Sequence, residues 1–401
     1  MQVVKRIRNA NKGRDPERLK MKYDAMRTDA FVFLRGTCHL FYDRLPKNGI
    51  FRSAPLVWCC GDLHLENFGS YKGDNRLSYF DINDFDEAAL APATWELARL
   101  LTSFFVSTRT AGIRAGDAEV LAEQFLDAYV AALTLGKPRW VERETSRGLV
   151  HDLLEQLRLR TRIEFLDGRT RKKGRQRRFL LDGRKTLPVT AAQHATVKEF
   201  MAQFARTQPH PEFYRVIDIA RRIAGTGSLG MERYAILVAG KGSPDQNYLL
   251  DLKQAQSSSI ASHLQAIQPR WSNQAQRIVS LQRRMQAVSM AFLQPVVMDG
   301  KSYVLRALQP LEDRVPLARN HRNVSQWGGV VQVMGECVAW AQLRSGGHQG
   351  SAIADALTAF GSRRKWRVKL LDAARLQADQ VEADWLVYCA AYDDGAFELQ
   401  I

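Results

Sequence analysis

Two apolar strands that each run directly into acidic residues constrain this chain more than any other feature. The run Leu56–Cys60 is followed, after one glycine, by Asp62, and Asn67 comes five residues later. The run Leu77–Ile82 is followed by Asp84. A side chain at the end of a strand is held rigidly yet stays accessible, and the loop after Asp62 is long enough to return the Asn67 amide. The pattern predicts that these oxygen atoms meet at one site, which suits Mg²⁺.

A strong positive charge points to anionic partners. The 401-residue chain carries a formal net charge of +16, which favours nucleotides, phosphorylated substrates, nucleic acid or a membrane surface. Much of the excess falls in one short segment: Arg169, Arg171, Lys172, Lys173, Arg175, Arg177 and Arg178. This basic segment, 169–178, is either a solvated, flexible hairpin tip or a docking patch for phosphates. No aromatic residues alternate with the charges, so the pattern does not favour sequence-specific RNA binding.

The expected cellular location is inferred from the membrane spans, secretory signal and CxxC pairs that we do not find in the sequence. No run of about 18 apolar residues is present, so we expect no membrane span. The basic and polar start has no apolar h-region, so we expect no secretory signal. The five cysteines form no CxxC pair, and Cys59 and Cys60 end an apolar run, as reduced core thiols do. We therefore expect a cytoplasmic protein without a membrane partner.

Hydrophobic periodicity predicts an α+β chain with two lobes. Helical spacing is present in these segments: 16–46, 95–107, 117–133, 273–293 and most of the chain after 323. Short strands alternate with turns in residues 215–312, which predicts a small, mostly antiparallel sheet. The predicted division is a helical lobe (1–205) with a basic insertion (138–200), a sheet lobe (206–315) and a return to the helical lobe (316–401).

The acidic motif resembles a known catalytic loop. Cys60–Asn67, with the sequence CGDLHLEN, is similar to the HGDxHxxN loop of aminoglycoside and choline phosphotransferases, the small-molecule branch of the protein-kinase-like fold. Asp84–Ala88 resembles the IDFDDA metal motif of that family. Glu96, twelve residues after Asp84, matches the acidic position at the start of the next helix. One departure is Cys60, which replaces the usual first histidine at a mainly structural position.

This resemblance implies a division of roles around one Mg²⁺ ion. Asp62 is expected to be the catalytic base, and Asn67 and Asp84 are expected to bind the metal. Asp86 shares a face with Asp84 on an extended chain and joins the metal set. His64 is expected to brace the loop rather than to react.

The nucleotide half of such a site follows the acidic motif instead of preceding it. Gly225, Gly227 and Gly230 have the G-x-G-x-x-G spacing, and Lys253 lies on a later strand. Glycines let backbone amides approach phosphates, and a strand lysine reaches the α- and β-phosphates of ATP. The helix Val331–Ser345 resembles the helix that normally leads into the catalytic loop. The order of the parts therefore resembles a circularly permuted protein kinase-like fold.

The same order, with the Phe33–Gly36 segment, resembles an uncharacterised bacterial domain-of-unknown-function family of kinase-like ancestry. The resemblance covers about residues 20–350 and is most specific at 57–100. Such a family implies the chemistry of the site but no acceptor.

Two features leave alternatives open. Residues 254–298 contain no Asp or Glu, although a kinase-type lysine is usually oriented by a glutamate on the following helix. Lys253 is therefore held by an amide or by an acid from elsewhere, or it is not the phosphate lysine. Asp62–His64 also has the D-x-H form of binuclear metallophosphoesterases, but those enzymes need an acid after Asn320–His321, where this chain has Arg322.

These observations favour an ATP- and Mg²⁺-dependent phosphotransferase that acts on an unknown, anionic small-molecule or protein acceptor. The alternative is a catalytically weak or inactive pseudokinase that binds nucleotide or docks an anionic partner, which the acid-free stretch after Lys253 and the basic segment favour. Nucleic-acid binding through the basic segment is a third and less favoured hypothesis.

Overall fold

The computed structural model describes residues 2–111, 113–309, 314–315 and 324–398. The helices in this part of the chain are α1 (Gln2–Ala10), α2 (Pro16–Thr28), α3 (Ala30–Gly36), α4 (Cys38–Arg44), α5 (Ile50–Ser53), α6 (Ala93–Thr110), α7 (Ala115–Leu135), α8 (Gly148–Leu159), α9 (Arg162–Asp167), α10 (Ala191–Arg206), α11 (Gln274–Met285), α12 (Val324–Arg344), α13 (Ala354–Gly361) and α14 (Lys365–Asp393). None of them is long and apolar enough to cross a membrane. The Asn320–Arg322 segment weighed above lies outside the described residues.

Small antiparallel sheets accompany the helices. The strands are β1 (Leu56–Cys59), β2 (Phe68–Lys72), β3 (Ser78–Ile82), β4 (Ala89–Pro92), β5 (Val141–Glu142), β6 (Thr170–Lys173), β7 (Gln176–Phe179), β8 (Thr186–Leu187), β9 (Val216–Arg222), β10 (Arg233–Val238), β11 (Tyr248–Gln254), β12 (Gln294–Met298) and β13 (Lys301–Ala307). The largest sheet has six strands in the order β12-β13-β11-β10-β9-β8, all paired antiparallel. The predicted α+β class with a small antiparallel sheet is confirmed.

The six-stranded sheet is covered on both faces, which explains the continuous apolar sequence of its central strand. In β10, Tyr234, Ile236 and Val238 point into a core shared with α10. Ala235 and Leu237 point to the opposite face, where α9 and the β6–β7 hairpin pack. Successive side chains of a strand alternate between the faces, so a strand buried on both sides needs apolar residues throughout.

The predicted helices are present, but tertiary contacts set their ends. The segment 16–46 breaks into separate helices at Asp29, whose Oδ1 accepts a hydrogen bond from the Val32 amide at 2.8 Å and so starts α3. The helix predicted over 273–293 ends at Met285. It stops because Gln286 takes an extended conformation and donates from Nε2 to the Ile82 carbonyl oxygen at 2.7 Å.

Pairing of β1 with β4 brings the two acidic loops together. Cys59 at the end of β1 lies opposite Ala89 at the start of β4. The next residue but one, Gly61, has φ +87°, and a Cβ atom there would collide with the carbonyl oxygen of Glu87. Glycine is therefore required for the loop after β1 to lie against the loop after β3.

The basic segment is a docked hairpin rather than a wholly solvated tip. Arg177 on β7 is fully buried and donates to Asp167 Oδ1 at 2.5 Å and Asp245 Oδ1 at 2.7 Å. Its Nε also donates to the Pro244 carbonyl oxygen at 2.7 Å. Part of the local charge is thus neutralised within the fold, while Arg171 on β6 remains exposed.

Candidate active site

A cavity of about 430 Å³ lies where the acidic loops, the glycine turn and the end of β11 meet. Its lining joins residues that are far apart in the sequence: Asp62, Asn67, Asp84, Asp86, Gly225, Gly227 and Lys253. Gly230, the third predicted glycine, does not line the cavity, and its carbonyl oxygen accepts a hydrogen bond from the Asp15 amide at 2.9 Å. The structure therefore brings both predicted halves of the site to one space.

Asp62 is held by an arginine that sequence reasoning missed. The Arg99 side chain is fully buried, and its Nε and Nη2 donate to Asp62 Oδ1 at 3.0 and 2.6 Å. Its Nη2 also donates to the Leu34 carbonyl oxygen at 2.7 Å. Both bonds to Asp62 use Oδ1, so the guanidinium fixes the carboxylate without engaging Oδ2. Burial raises the pKa of Asp62, and the Arg99 charge offsets this shift only in part.

The loop after Asp62 folds back through a buried histidine. His64 Nδ1 accepts a hydrogen bond from the Glu66 amide at 3.2 Å, and its carbonyl oxygen accepts one from the Asn67 amide at 2.9 Å. Burial, reinforced by nearby arginines, holds the pKa of His64 well below its ordinary value, so the ring is neutral. Asn67 Nδ2 donates to the Asp62 carbonyl oxygen at 2.5 Å, which leaves Asn67 Oδ1 for another partner. These contacts hold the loop in its folded-back shape, and such bracing is the role expected for His64.

The loop after β3 supplies both a metal-type carboxylate and a partner for the lysine. Burial alone would raise the pKa of Asp84, but the positive charges of Lys253 and Arg306 lower it overall, so this group is ionised. The Asp84 Oδ1 accepts a hydrogen bond from the Asp86 amide at 3.3 Å. Asp86 Oδ2 forms a direct ion pair with Lys253 Nζ. Lys253 is therefore held by an acid from outside α11, which is one of the alternatives left open by the sequence.

Helix α11 contacts the acidic loop through an arginine instead of a glutamate. Arg277 is buried, and its guanidinium donates to the carbonyl oxygens of Asp86 at 2.7 Å and Ala88 at 2.6 Å. A third bond reaches the Gln256 carbonyl oxygen at 3.0 Å, three residues beyond Lys253. Arg277 thus ties the loop after β3 to the strand that carries the lysine. The only sequence signal for this contact is the presence of arginine on a helix that has no Asp or Glu.

The glycine turn is fastened from its outer side by the N-terminal segment. Gly225 has φ +75°, and the turn that follows connects β9 to β10. The Gly227 carbonyl oxygen accepts hydrogen bonds from Arg14 Nη1 at 2.7 Å and Lys22 Nζ at 3.3 Å. Lys22 is buried and also donates to Asn11 Oδ1 at 2.8 Å. The turn follows one strand and precedes another, and the side chains of Arg14 and Lys22 fix its carbonyl groups.

Arginines dominate the side of the cavity next to the Asp62 loop. Glu66 pairs with Arg35 Nη1 at 2.7 Å and with Arg314 Nη1 at 3.0 Å, so one carboxylate is shared by two guanidinium groups. Arg6 and Arg14 line the same cavity. Asp43 pairs with Arg6 at 2.6 Å, and Glu87 acts on the Arg14 charge. Arg35 and Arg314, which share Glu66, therefore carry the excess positive charge on this side. Such an excess favours an anionic ligand.

Glu96 anchors the start of the catalytic-type loop. Its Oε2 accepts a hydrogen bond from the Cys60 amide at 3.0 Å, and its Oε1 accepts one from Gln342 Nε2 at 2.7 Å. Glu96 is fully buried, and this burial raises its pKa to about 7. The acidic residue expected at the start of α6 therefore links β1 to α12 and does not line the cavity.

Replacing Glu96 with glutamine should make stability less dependent on pH. A carboxyl group whose pKa is raised by folding stabilises the fold fully below its unfolded pKa and loses this contribution as the pH rises through its folded pKa. A displacement from 4.5 to about 7 corresponds to about 3 kcal/mol. The free energy of unfolding of the wild type, relative to Glu96→Gln, should therefore fall between about pH 5 and about pH 8. Denaturant unfolding at both values measures this difference.

The control is Glu123→Gln, which removes an exposed acid from α7. Its stability relative to the wild type should stay constant across the same pH interval. An equal pH dependence in the wild type and Glu96→Gln would show that Glu96 is ionised in the fold throughout.

The oxygen donors of the cavity fit magnesium. In the part of the chain that the structure describes, no group of three or more His, Cys, Asp or Glu side chains forms a metal cluster. Asn67 and Asp84 instead offer one amide oxygen and one ionised carboxylate. Magnesium in phosphoryl-transfer sites is typically bound by one or two protein groups, with substrate phosphates and water completing its shell.

Comparison with known proteins identifies the family. Residues 14–391 match the model of DUF2252, described as an uncharacterized protein conserved in bacteria. The chain belongs to this family. No curated protein and no solved structure matches it. The DUF2252 match covers the acidic loops and the glycine turn. The cavity-lining residues from Arg14 to Arg314 therefore all lie within the matched region.

Proposed function

We propose that this DUF2252 chain is an ATP- and Mg²⁺-dependent phosphotransferase with a permuted, kinase-like arrangement. The observation that carries the proposal is the single cavity that joins Asp62, Asn67, Asp84 and Lys253 with the glycine turn. A phosphoryl-transfer site needs a base, oxygen ligands for magnesium and cations for the phosphates, and it needs little covalent chemistry from the protein.

Each group has a distinct role in this proposal. Asn67 and Asp84 would hold Mg²⁺, which would neutralise charge on the transferring phosphate. Lys253, oriented by Asp86, binds the phosphates of ATP. The acceptor hydroxyl oxygen bonds to the γ-phosphorus while the bond to the ADP oxygen breaks, and the hydroxyl proton passes to Asp62. A raised pKa makes Asp62 a stronger base than an exposed aspartate, which suits this role.

The fold supports the proposed permutation. Helix α11 follows the lysine strand β11 and precedes β12 and β13, so the sheet and helix have the order that a kinase-like nucleotide lobe implies. The segment after α12 reaches β1, where the Ala352 amide donates to the Leu56 carbonyl oxygen at 2.7 Å. The segment after the helix that resembles the usual lead-in therefore meets the start of β1, the strand that leads into the Asp62 loop. The helix itself is linked to the start of that loop through Gln342, Glu96 and the Cys60 amide.

The acceptor is proposed to be anionic. Arg35 and Arg314 line the cavity, and among the described residues they share one carboxylate, that of Glu66. A phosphate or carboxylate on the acceptor complements this charge. The acceptor is a small molecule or a protein side chain whose hydroxyl group reaches Asp62.

A nucleotide-binding protein without turnover is the second candidate. The Arg99–Asp62 ion pair favours it, because a bound guanidinium stabilises the ionised carboxylate and weakens it as a base. This candidate shares the ATP and Mg²⁺ site with the first and differs only in phosphate transfer.

Replacing Lys253 with methionine should weaken ATP binding about tenfold, since one charge-assisted contact to phosphate is lost. Calorimetric titration of ATP in the presence and absence of Mg²⁺ measures this change. The matched control is Lys198→Met, which removes an exposed lysine of α10 and should leave affinity unchanged. Absence of Mg²⁺-dependent ATP binding in the wild type would overturn both candidates. Binding without phosphate release or autophosphorylation would favour the second.

A further inference from the structure

A second cavity, of about 290 Å³, lies on another part of the molecule. It is formed by the end of β2, the α8–α9 connection, the start of β11 and the segments 290–292 and 307–309. No residue lines both this cavity and the candidate active site. Tyr248 and Lys253 mark the two cavities at opposite ends of β11, which separates them by about 17 Å.

The lining of the second cavity combines cations with aromatic rings. The basic residues are Lys72, Arg76, Arg160, Arg162 and Lys241, and the aromatic residues are Tyr71, Phe165, Tyr248 and Phe292. None of the described lining residues is an Asp or a Glu. This composition differs from that of the candidate active site, where acidic side chains are essential to the proposed chemistry.

The three arginines that line this cavity lie close enough to Lys72 to repel its charge. The pKa of Lys72 is lowered by desolvation and by the positive charges of Arg162, Arg160 and Arg76. Among the described residues, no acid forms an ion pair with Lys72, Arg76, Arg162 or Lys241. An anion bound between them would relieve this repulsion, because a nearby opposite charge favours the charged form of each group.

Two of the aromatic rings that line the cavity are packed against cations. The Arg162 guanidinium lies 3.7 Å from the centre of the Tyr248 ring, and that of Arg76 lies 5.2 Å from the centre of the Phe292 ring. Phe292 stacks on Phe213 with 5.6 Å between the ring centres. Its backbone has φ +62°, a conformation that costs energy for a bulky residue and is kept only where the surroundings impose it.

We propose that the second cavity binds a small aryl phosphate, a ligand that joins one flat aromatic ring to a phosphate dianion. The phosphate would lie among Lys72, Arg76 and Lys241, and the ring would pack among the aromatic side chains that line the cavity. The volume suits a ligand of one ring and one phosphate, since sites for drug-sized ligands begin at about 300 Å³. This site is independent of the proposed phosphotransferase activity.

Phenyl phosphate is the probe, and its binding to the full chain is measured by ligand-observed NMR and calorimetry. The test variant is Lys72→Gln/Lys241→Gln, which removes two exposed lysines and no described hydrogen bond. We expect affinity to fall about tenfold. The matched control, Lys173→Gln/Lys198→Gln, removes two exposed lysines elsewhere and should bind as the wild type does. Inorganic phosphate and benzyl alcohol should each bind at least about tenfold more weakly than phenyl phosphate.

Three results would overturn the proposal: no binding of phenyl phosphate, equal loss of affinity in both double variants, or equal affinity for inorganic phosphate. Lys253→Met separates the two cavities. Retained binding of phenyl phosphate in this variant supports the second cavity, whatever the variant does to ATP. Loss of phenyl phosphate binding in Lys253→Met would assign the probe to the candidate active site and would contradict the inference.

Discussion

Replacing Asp84 with asparagine should lower kcat/KM for Mg²⁺-dependent phosphate transfer about a thousandfold. The Asp84 carboxylate is ionised because the charges of Lys253 and Arg306 outweigh the effect of its burial on its pKa. Asparagine keeps the shape and the acceptor for the Asp86 amide but removes the charge that attracts the cation. Steady-state rates over a titration of Mg²⁺ measure the effect, and the half-saturating Mg²⁺ concentration should rise as the rate falls.

Asp74→Asn is the matched control for this experiment. Asp74 lies in the exposed turn between β2 and β3, so the substitution removes an equal charge without reaching the cavity. Its rate and its Mg²⁺ dependence should equal those of the wild type. A normal Mg²⁺ dependence in Asp84→Asn would remove Asp84 from the metal site and leave Asp86 and Glu87, the other acids of this loop, as candidate ligands.

The grouping of Asp62, Asn67 and Asp84 could be predicted because it depends on local sequence. Each acid follows a short apolar strand, and Gly61 permits the close approach of the two loops, so spacing alone carries most of the information. Helix α7 could be predicted equally well, since its apolar residues recur at helical spacing from residue 115 to residue 135. The predicted boundaries differ from the observed ones by two residues at each end.

The partners of the site residues could not be predicted, because they depend on long-range packing. Lys253 pairs with Asp86, which lies on a different part of the chain and was assigned to the metal set. No acidic residue on α11 was available, and nothing in the local pattern shows which distant carboxylate meets the lysine. Arg177 is a similar case: within a run of basic residues, the sequence does not show which one is buried.

For Arg99, the sequence gives the position on a helix but not the partner. This arginine follows Glu96 by three residues on α6, so helical spacing places it one turn further along the same helix. Its bond to Asp62 nevertheless required the crossing of α6 behind β1, which only the packed helical core provides.

Replacing Asp62 with asparagine should lower kcat by about a thousandfold while ATP affinity stays unchanged. Asparagine keeps an Oδ1 acceptor for Arg99, so the buried guanidinium retains its hydrogen bonds, although the loss of the opposite charge costs some stability. It cannot accept the proton of an acceptor hydroxyl group. Because Asp84 and Lys253 are untouched, Mg²⁺-dependent ATP binding should match the wild type, in contrast to Asp84→Asn.

The pH dependence of kcat distinguishes a base from a residue that only positions the substrate. Asp62 acts as a base in its ionised form, so the wild-type rate should rise with pH as this group loses its proton. Since burial raises the pKa of Asp62, this rise should occur above the ordinary range of an aspartate. The residual rate of Asp62→Asn should lack the rise. A rate that depends on Asp62 but shows the same pH profile in both proteins would assign Asp62 a positioning role, held in place by Arg99.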